Sequence, residues 1–292
     1  MSVSKIVAAA ASGVGGAGLD VDEVFSTHLY TGDGSNGTAI VNGIDLAGEG
    51  GLVWRKKRSG DGSINDNVLV DTERGKTKFI LSNSTAAEAT SSNSITSFNN
   101  NGFTIVDNNS YGMNLSNETY VSWTFRKTPK FCDVITYSGN STAGRTISHN
   151  LGCTVGQVFV KRTSHTNNWI CWHRGIANNK YLQLNSTSQA YSDGGIFWNN
   201  TTPSSTTVTL GADSGVNATG STYVMYVFAH NNNDGEFGPD SDQDIIKCGT
   251  YTGNGSTTGP VVDLGFEPQW LLLKRADGSG SWFLLDVMRG IP

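Results

Sequence analysis

The chain has 292 residues, 20 Lys and Arg against 25 Asp and Glu, and a formal net charge of −5. Gly, Ser, Thr and Asn number 36, 31, 30 and 27; all four favour turns over helix interiors, which excludes a helix-rich protein. Seven Trp, nine Tyr and twelve Phe supply ample apolar area, which excludes disorder. The acidic balance gives no support to nucleic-acid binding through a general basic field, and no run of 18 apolar residues is present to span a membrane.

In chain order, residues 1–24 come first: small, Gly- and Ala-rich and coreless, they are expected to form a non-globular arm. Its larger apolar side chains, Val3, Ile6, Val7, Val14 and Leu19, are the candidates for anchoring it to another protein. Lys5–Ala11 is the one place for a short helix, and its apolar block is short and weak for a secretory leader cut at Ala11-Ser12. Short strands follow at Gly51–Lys56, Val68–Asp71, Lys78–Leu81 and Phe103–Val106, then at Val134–Tyr137, Gln157–Arg162, Trp169–His173, Tyr181–Leu184 and Thr206–Leu210. Ile245–Tyr251, Trp270–Lys274 and Trp282–Leu285 complete them, with turns such as Asp33-Gly34 and Asn101-Gly102 between strands. Thr119–Phe125 alternates Thr119, Ser122 and Thr124 against Val121, Trp123 and Phe125, predicting a strand buried on one side. Tyr223–Phe228 is apolar on both faces, so a neighbouring unit or another chain should cover its second face.

The strands recur with a period of roughly 105 to 115 residues. Tyr30-Thr31-Gly32, Tyr137-Ser138-Gly139 and Tyr251-Thr252-Gly253 open three units, followed by Leu46, Leu151 and Leu264. Strands ending in basic pairs come next, at Arg55-Lys56, Lys161-Arg162 and Lys274-Arg275; Arg74-Gly75, Arg174-Gly175 and Arg289-Gly290 close the first half. The second half occurs twice: Lys78–Thr85 matches Lys180–Thr187, Phe98-Asn99-Asn100 matches Phe197–Asn200, and Thr119–Phe125 matches Thr222–Phe228. The expected fold is all-β: tandem antiparallel β-sandwich, jelly-roll-like modules behind the arm. Residues 25–128 form the first module, 129–235 the second, and 236–292 an acidic linker with the first half of a third. Thr128-Pro129-Lys130 is the first junction, and Asn231–Asp244 is read as the longer linker. A half-sandwich exposes an apolar face, so the expectation is a longer chain, or else a partner over that half.

Tyr251–Ser256, Val261–Arg275, Trp282–Asp286 and Arg289-Gly290 resemble the tandem module of tail-fibre and related virion proteins of marine bacteriophages, cyanophages among them. Asn42–Trp54, Gly144–Gly152 and Phe228-Ala229-His230 resemble the same module. The likeness covers roughly residues 25–292. It departs where Cys153-Thr154-Val155 replaces Phe266-Glu267-Pro268, and the third copy is incomplete. The resemblance implies a structural virion protein, made in the host cytoplasm and located in the tail. It implies a tail fibre, or its proximal tail-anchoring part, serving host attachment. The arm would bind a tail adaptor, tail-tube or other virion protein, and homotrimerisation is expected from the usual state of fibres and from the doubly apolar strand. A head-surface or other virion carbohydrate-binding protein is the alternative, and a polysaccharide-degrading spike a further one.

Candidate sites are few. Trp169, Trp172, Tyr181, Tyr191, Phe197 and Trp198 cluster in the second module; they suit either a sandwich core or sugar stacking, with Trp198, Asn199 and Trp172 the candidates for a host glycan. Asp240-Ser241-Asp242-Gln243-Asp244 has the alternate acids of a calcium loop, but lacks its Gly at position six and Glu at twelve, and reads as a solvated acidic linker. Trp54-Arg55-Lys56-Lys57-Arg58 is the only basic run, a strand-end feature that could also meet acidic glycans. The five His show no metal-binding spacing, Cys132, Cys153, Cys171 and Cys248 form no C-x-x-C pair, and neither a nucleophile elbow nor a P-loop occurs. No enzyme, metal or cofactor is expected, and neither nucleic acid nor membrane insertion.

Overall fold

Short apolar runs between Gly-, Asn- and Asp-rich turns give an almost wholly β protein. The computed structural model describes residues 18–60, 66–92, 94–106 and 112–290. Val3, Ile6, Val7, Val14 and the Lys5–Ala11 helix lie outside the described residues. The one described helix is a single turn, Val21–Val24.

The first repeat holds β1 (Phe25–Thr31), β2 (Asn36–Val41), β3 (Gly51–Lys57), β4 (Asn67–Asp71), β5 (Lys78–Leu81), β6 (Ala89–Thr90), β7 (Ile95–Asn99), β8 (Gly102–Val106) and β9 (Thr119–Arg126). They form a sheet of order β1-β9-β3-β4-β5-β6 and a second of order β2-β8-β7. The second repeat holds β10 (Cys132–Ser138), β11 (Arg145–Ser148), β12 (Val155–Arg162), β13 (Ile170–His173), β14 (Lys180–Tyr181), β15 (Tyr191–Ser192), β16 (Thr207–Leu210) and β17 (Thr222–Ala229). Its main sheet, β10-β17-β12-β13, repeats the order of first, last, third and fourth strands. A hairpin of β18 (Trp270–Lys274) and β19 (Trp282–Asp286) follows. Every strand pair is antiparallel.

The repeated Tyr-Thr/Ser-Gly has a physical cause. Tyr30 stacks on Tyr120 at 4.9 Å and Tyr137 on Tyr223 at 5.1 Å. The Tyr30 and Tyr137 hydroxyls donate to the Met113 and Val216 carbonyls, at 3.0 and 2.7 Å. A Cβ on Gly32 would meet the Leu115 carbonyl at 2.2 Å, and one on Gly139 the Ala218 carbonyl at 2.1 Å; only glycine permits so close a backbone approach.

Three apolar cores result. One lies between the two sheets of the first repeat, around Ile40, Val53, Phe79 and Phe103. A second lies within the second repeat, around Val158, Trp172, Trp198 and Met225. The third is shared, joining Trp54, Trp123 and Phe125 to Phe159, Trp169, Tyr226 and Phe228, with Trp270, Leu272, Trp282 and Leu284 of the hairpin packed against it. The repeats are therefore packed together: their sheets face one another across apolar side chains that neither repeat could leave in water.

Several expectations change accordingly. β9 is buried on both faces, because the β2-β8-β7 sheet covers its polar side, where Thr124 Oγ1 accepts from Asn42 Nδ2 at 2.8 Å. β17 is doubly buried as predicted, and of the two covers expected it is the neighbouring repeat that supplies the second: Val224, Tyr226 and Phe228 face the shared core, and Tyr223, Met225 and Val227 the repeat's own. That strand thus gives no reason for a trimer. Ile245–Tyr251 is not a strand, and Tyr251 is 55% exposed. Its counterparts β1 and β10 pair with the last strands β9 and β17, and the described residues hold no third such strand. Of Tyr181–Leu184 only the first residue is in a strand. The acidic stretch after Asn231 is docked: Phe237 is buried against Phe131 and bridges Leu19, and Asp244 accepts from the Asn233 and Gly235 N–H groups. Among the described residues, no helix is long and apolar enough to cross a membrane.

Candidate functional site

The contacts between repeats are copies of one another. From the second repeat, Lys161 Nζ donates to the Thr85 carbonyl of the first at 2.9 Å, and the Trp169 indole to the Leu81 carbonyl at 2.9 Å. From the hairpin, Lys274 Nζ donates to the Thr187 carbonyl at 3.0 Å, and the Trp282 indole to the Gln183 carbonyl at 2.9 Å. The backbone agrees: Asn167 N–H donates to the Thr85 carbonyl and Gly280 N–H to that of Thr187, while Glu88 N–H donates to the Thr163 carbonyl and Ala190 N–H to that of Ala276. Each lysine also donates to a carbonyl of its own loop, Asn167 or Gly280. Burial pushes Lys161 down to about 8 and lowers Lys274.

A second set of contacts closes the circle. Asp71 accepts from Arg74 Nε at 2.6 Å, and Arg74 Nη2 donates to the Leu69 carbonyl. Asp286 accepts from Arg289 Nε at 2.5 Å, and Arg289 Nη2 donates to the Leu284 carbonyl. Onto the first pair the second repeat sets the Tyr226 hydroxyl, 2.7 Å from Asp71. Onto the second pair the first repeat sets the Trp123 indole, 3.0 Å from Asp286, with Arg289 over its ring at 5.0 Å. The second repeat thus leans on the first, the hairpin on the second, and the first on the hairpin: a cyclic relation of order three. Burial pushes the Tyr226 hydroxyl well up, so it stays a donor. Burial opposes the Arg74 charge, but Tyr226, Asp71 and Glu88 around it raise its pKa on balance.

Where the first repeat meets the hairpin a cleft of about 350 Å³ opens, lined by Trp54, Lys56, Asn67, Trp123, Trp282 and Arg289 among others. The register fixes the correspondence. Lys56 lies opposite Val121 as Lys161 lies opposite Val224, so Lys56 holds the place of Lys161 and, at the end of β18, of Lys274. The cleft is the third member of the circle of inter-repeat faces.

The domain family described as "Domain of unknown function (DUF7483)" matches residues 20–291, which take in both full repeats and the hairpin together. The chain belongs to the DUF7483 family. No curated protein and no solved structure matches it.

The sugar-stacking candidates fare differently in this DUF7483 chain. Trp198 and Trp172 are each 1% exposed and pack in the second repeat's core, so neither offers a ring face to a sugar. The Trp172 indole donates to Asn178 Oδ1 at 3.0 Å. Apolar side chains from both sheets surround these rings, and burial of their large faces outweighs a surface placement. Asn199 is exposed, at φ 50°, with its carbonyl accepting from Thr201 Oγ1. Leu19 bridges Phe237 and packs against the shared core. The basic run is no open patch either. Arg55 is fully buried, its guanidinium against Met113 Sδ and the Tyr120 ring, and Lys57 is buried in an ion pair with Glu118 at 3.1 Å. Among the described residues no group of three or more His, Cys, Asp or Glu side chains could hold a metal ion.

Sequence reasoning noted the Arg-Gly steps but missed the acids that make them work. The signal is Asp-x-x-Arg-Gly, present at 71–75 and 286–290. It also missed Asn114 and Asn217, buried side chains that tie the opening loop of each repeat to the loop before its last strand. Gly-x-Asn at 112–114 and 215–217 marks them.

Proposed function

We propose that this chain is a non-enzymatic structural protein of a bacteriophage virion, a tail fibre or its proximal, tail-anchoring part, serving host attachment. The observation that carries the reading is the copied docking edge: each repeat holds its neighbour through the same lysine, indole and backbone donors. A part of a particle must stay folded outside the cell, and repeats locked around a shared core resist local opening. Cleavable side chains are sparse, and Arg55, Lys57, Arg74 and Lys161 are buried, so basic-residue proteases find few sites. The likeness to marine phage virion modules supports the same reading. Attachment falls to the N-terminal arm, with Val3, Ile6, Val7 and Val14 binding a tail protein and Leu19 fixing the arm's base on Phe237.

Gold labelling of the N-terminus in imaged virions tests this. The label is expected at the tail; a label on the capsid replaces the reading with a head-surface carbohydrate-binding protein. Incubation with host surface glycan is expected to release no oligosaccharide, and release would establish a degrading spike instead.

A further inference from the structure

The second repeat carries an aromatic pair that the fold does not require. Tyr181 on β14 lies opposite Tyr191 on β15, with ring centroids 5.5 Å apart and planes tilted by 31°. The first repeat fills the same register positions with Phe79 opposite Ala89. Phe79 is buried in its repeat's core, whereas Tyr191 is 41% exposed and Tyr181 half-buried. Among the described residues neither tyrosine hydroxyl has a hydrogen-bond partner. We propose that this pair is a carbohydrate-binding surface that takes one neutral pyranose unit of a glycan. The C–H face of the sugar stacks on the Tyr191 ring beside Tyr181, and its hydroxyl groups bond to the two tyrosine hydroxyls and to the carboxylates of Asp193 and Asp213. The proposal goes beyond the virion reading and stands without it.

The rings are fixed before any ligand arrives. Tyr181 packs edge-on against Phe197, with centroids 4.6 Å apart, and Phe197 is buried in the second repeat's core. A preordered aromatic surface binds without the entropy cost of being ordered. Polar groups converge on the same place. The Asp213 N–H donates to the Ile196 carbonyl, which sets the loop at Asp213 beside the loop that follows β15. Burial first, then Tyr191, Asp193 and Asp213, raise the pKa of the Tyr181 hydroxyl, so both carboxylates are its neighbours. Asp193 is held by the Gly195 and Phe197 N–H groups, and Asp213 by that of Gly215. A carboxylate has about four acceptor sites, so each keeps some for a ligand's hydroxyl groups. Two negative charges repel an anionic ligand, which favours a neutral sugar over an acidic one. Tyr181 and Phe79 each pack against the core of their own repeat, away from the faces between repeats, so a neighbouring repeat does not take this surface.

The test is a titration of the full chain with methyl β-glucoside, methyl β-galactoside and methyl α-mannoside, with glucuronate as the anionic comparison, followed by amide chemical shifts. Saturable shifts confined to β14, β15 and the loops at Asp193 and Asp213 are expected with at least one neutral glycoside, and none with glucuronate. Tyr191→Ala should weaken binding about tenfold or more. Its unfolding midpoint should match the parent's, since the ring is exposed. Tyr181→Phe keeps the stacked ring and removes one hydroxyl, and should weaken binding several-fold. Three results overturn the proposal: no saturable shift at these residues with any of the three glycosides at tens of millimolar, unchanged affinity in Tyr191→Ala, or glucuronate binding as tightly as the neutral sugars. Gold labelling of the N-terminus reads the virion location separately, so failure of one reading is distinguishable from failure of the other.

Discussion

The Tyr226 hydroxyl of the second repeat donates to the Asp71 carboxylate of the first, at 2.7 Å, with Asp71 fully buried. The bond completes a buried ion pair that neither repeat could leave exposed to its neighbour's apolar face without loss. Tyr226→Phe deletes one donor and is expected to cost about 1–3 kcal/mol. Asp71→Asn leaves the Arg74 charge buried beside Glu88 alone, and is expected to cost about 3–5 kcal/mol. Urea unfolding of the two variants and of the double mutant measures both losses and their coupling.

Acid should weaken the fold through His173. Burial first, then the neighbouring Arg174 and His230, push its pKa down to about 4 from 6.5. The folded form therefore holds the proton less tightly than the unfolded chain. Between pH 6.5 and 4 the unfolded state binds more protons, so stability is full above 6.5 and declines as pH falls towards 4. His173→Asn should flatten this part of the stability profile, as read from denaturant midpoints at each pH.

The four thiols should be inert. Burial pushes Cys132 and Cys171 well up, Cys153 to about 11 and Cys248 to about 12. The thiolate is the reactive form, so a thiol reagent at pH 8 should label native protein hardly at all and denatured protein at all four positions. Rapid labelling of the native chain would show that one of these sites opens.

Trp198→Ala should be a core mutation, with a loss of about 3–5 kcal/mol. Calorimetry of the variant checks it, and a variant as stable as the parent would return Trp198 to the surface.

The strands and their repetition were legible because they rest on local signals. Lys78–Leu81, Trp270–Lys274 and the stacked Tyr30 and Tyr137 follow from alternation and from Gly-bearing turns. What sat on the far side of each sheet was not legible. Ser122 and Thr124 look solvent-facing by pattern, yet the second sheet of the same repeat covers them. Trp198 stands in a turn beside asparagines, Asn199 and Asn200, and still turns into the core, because a turn residue takes its side from packing rather than from its sequence neighbours. Arg55 reads as part of a basic surface run, but its register position on β3 points it under Tyr120. The cyclic contacts escaped for the same reason: Lys161 and Thr85 lie 76 residues apart.

The central claim is that the repeats close around one core, and calorimetric unfolding tests it most directly. A single transition is predicted, with calorimetric and van't Hoff enthalpies in agreement, and Tyr226→Phe should lower its midpoint as a whole. Two resolved transitions, of which Tyr226→Phe moves only one, would contradict it.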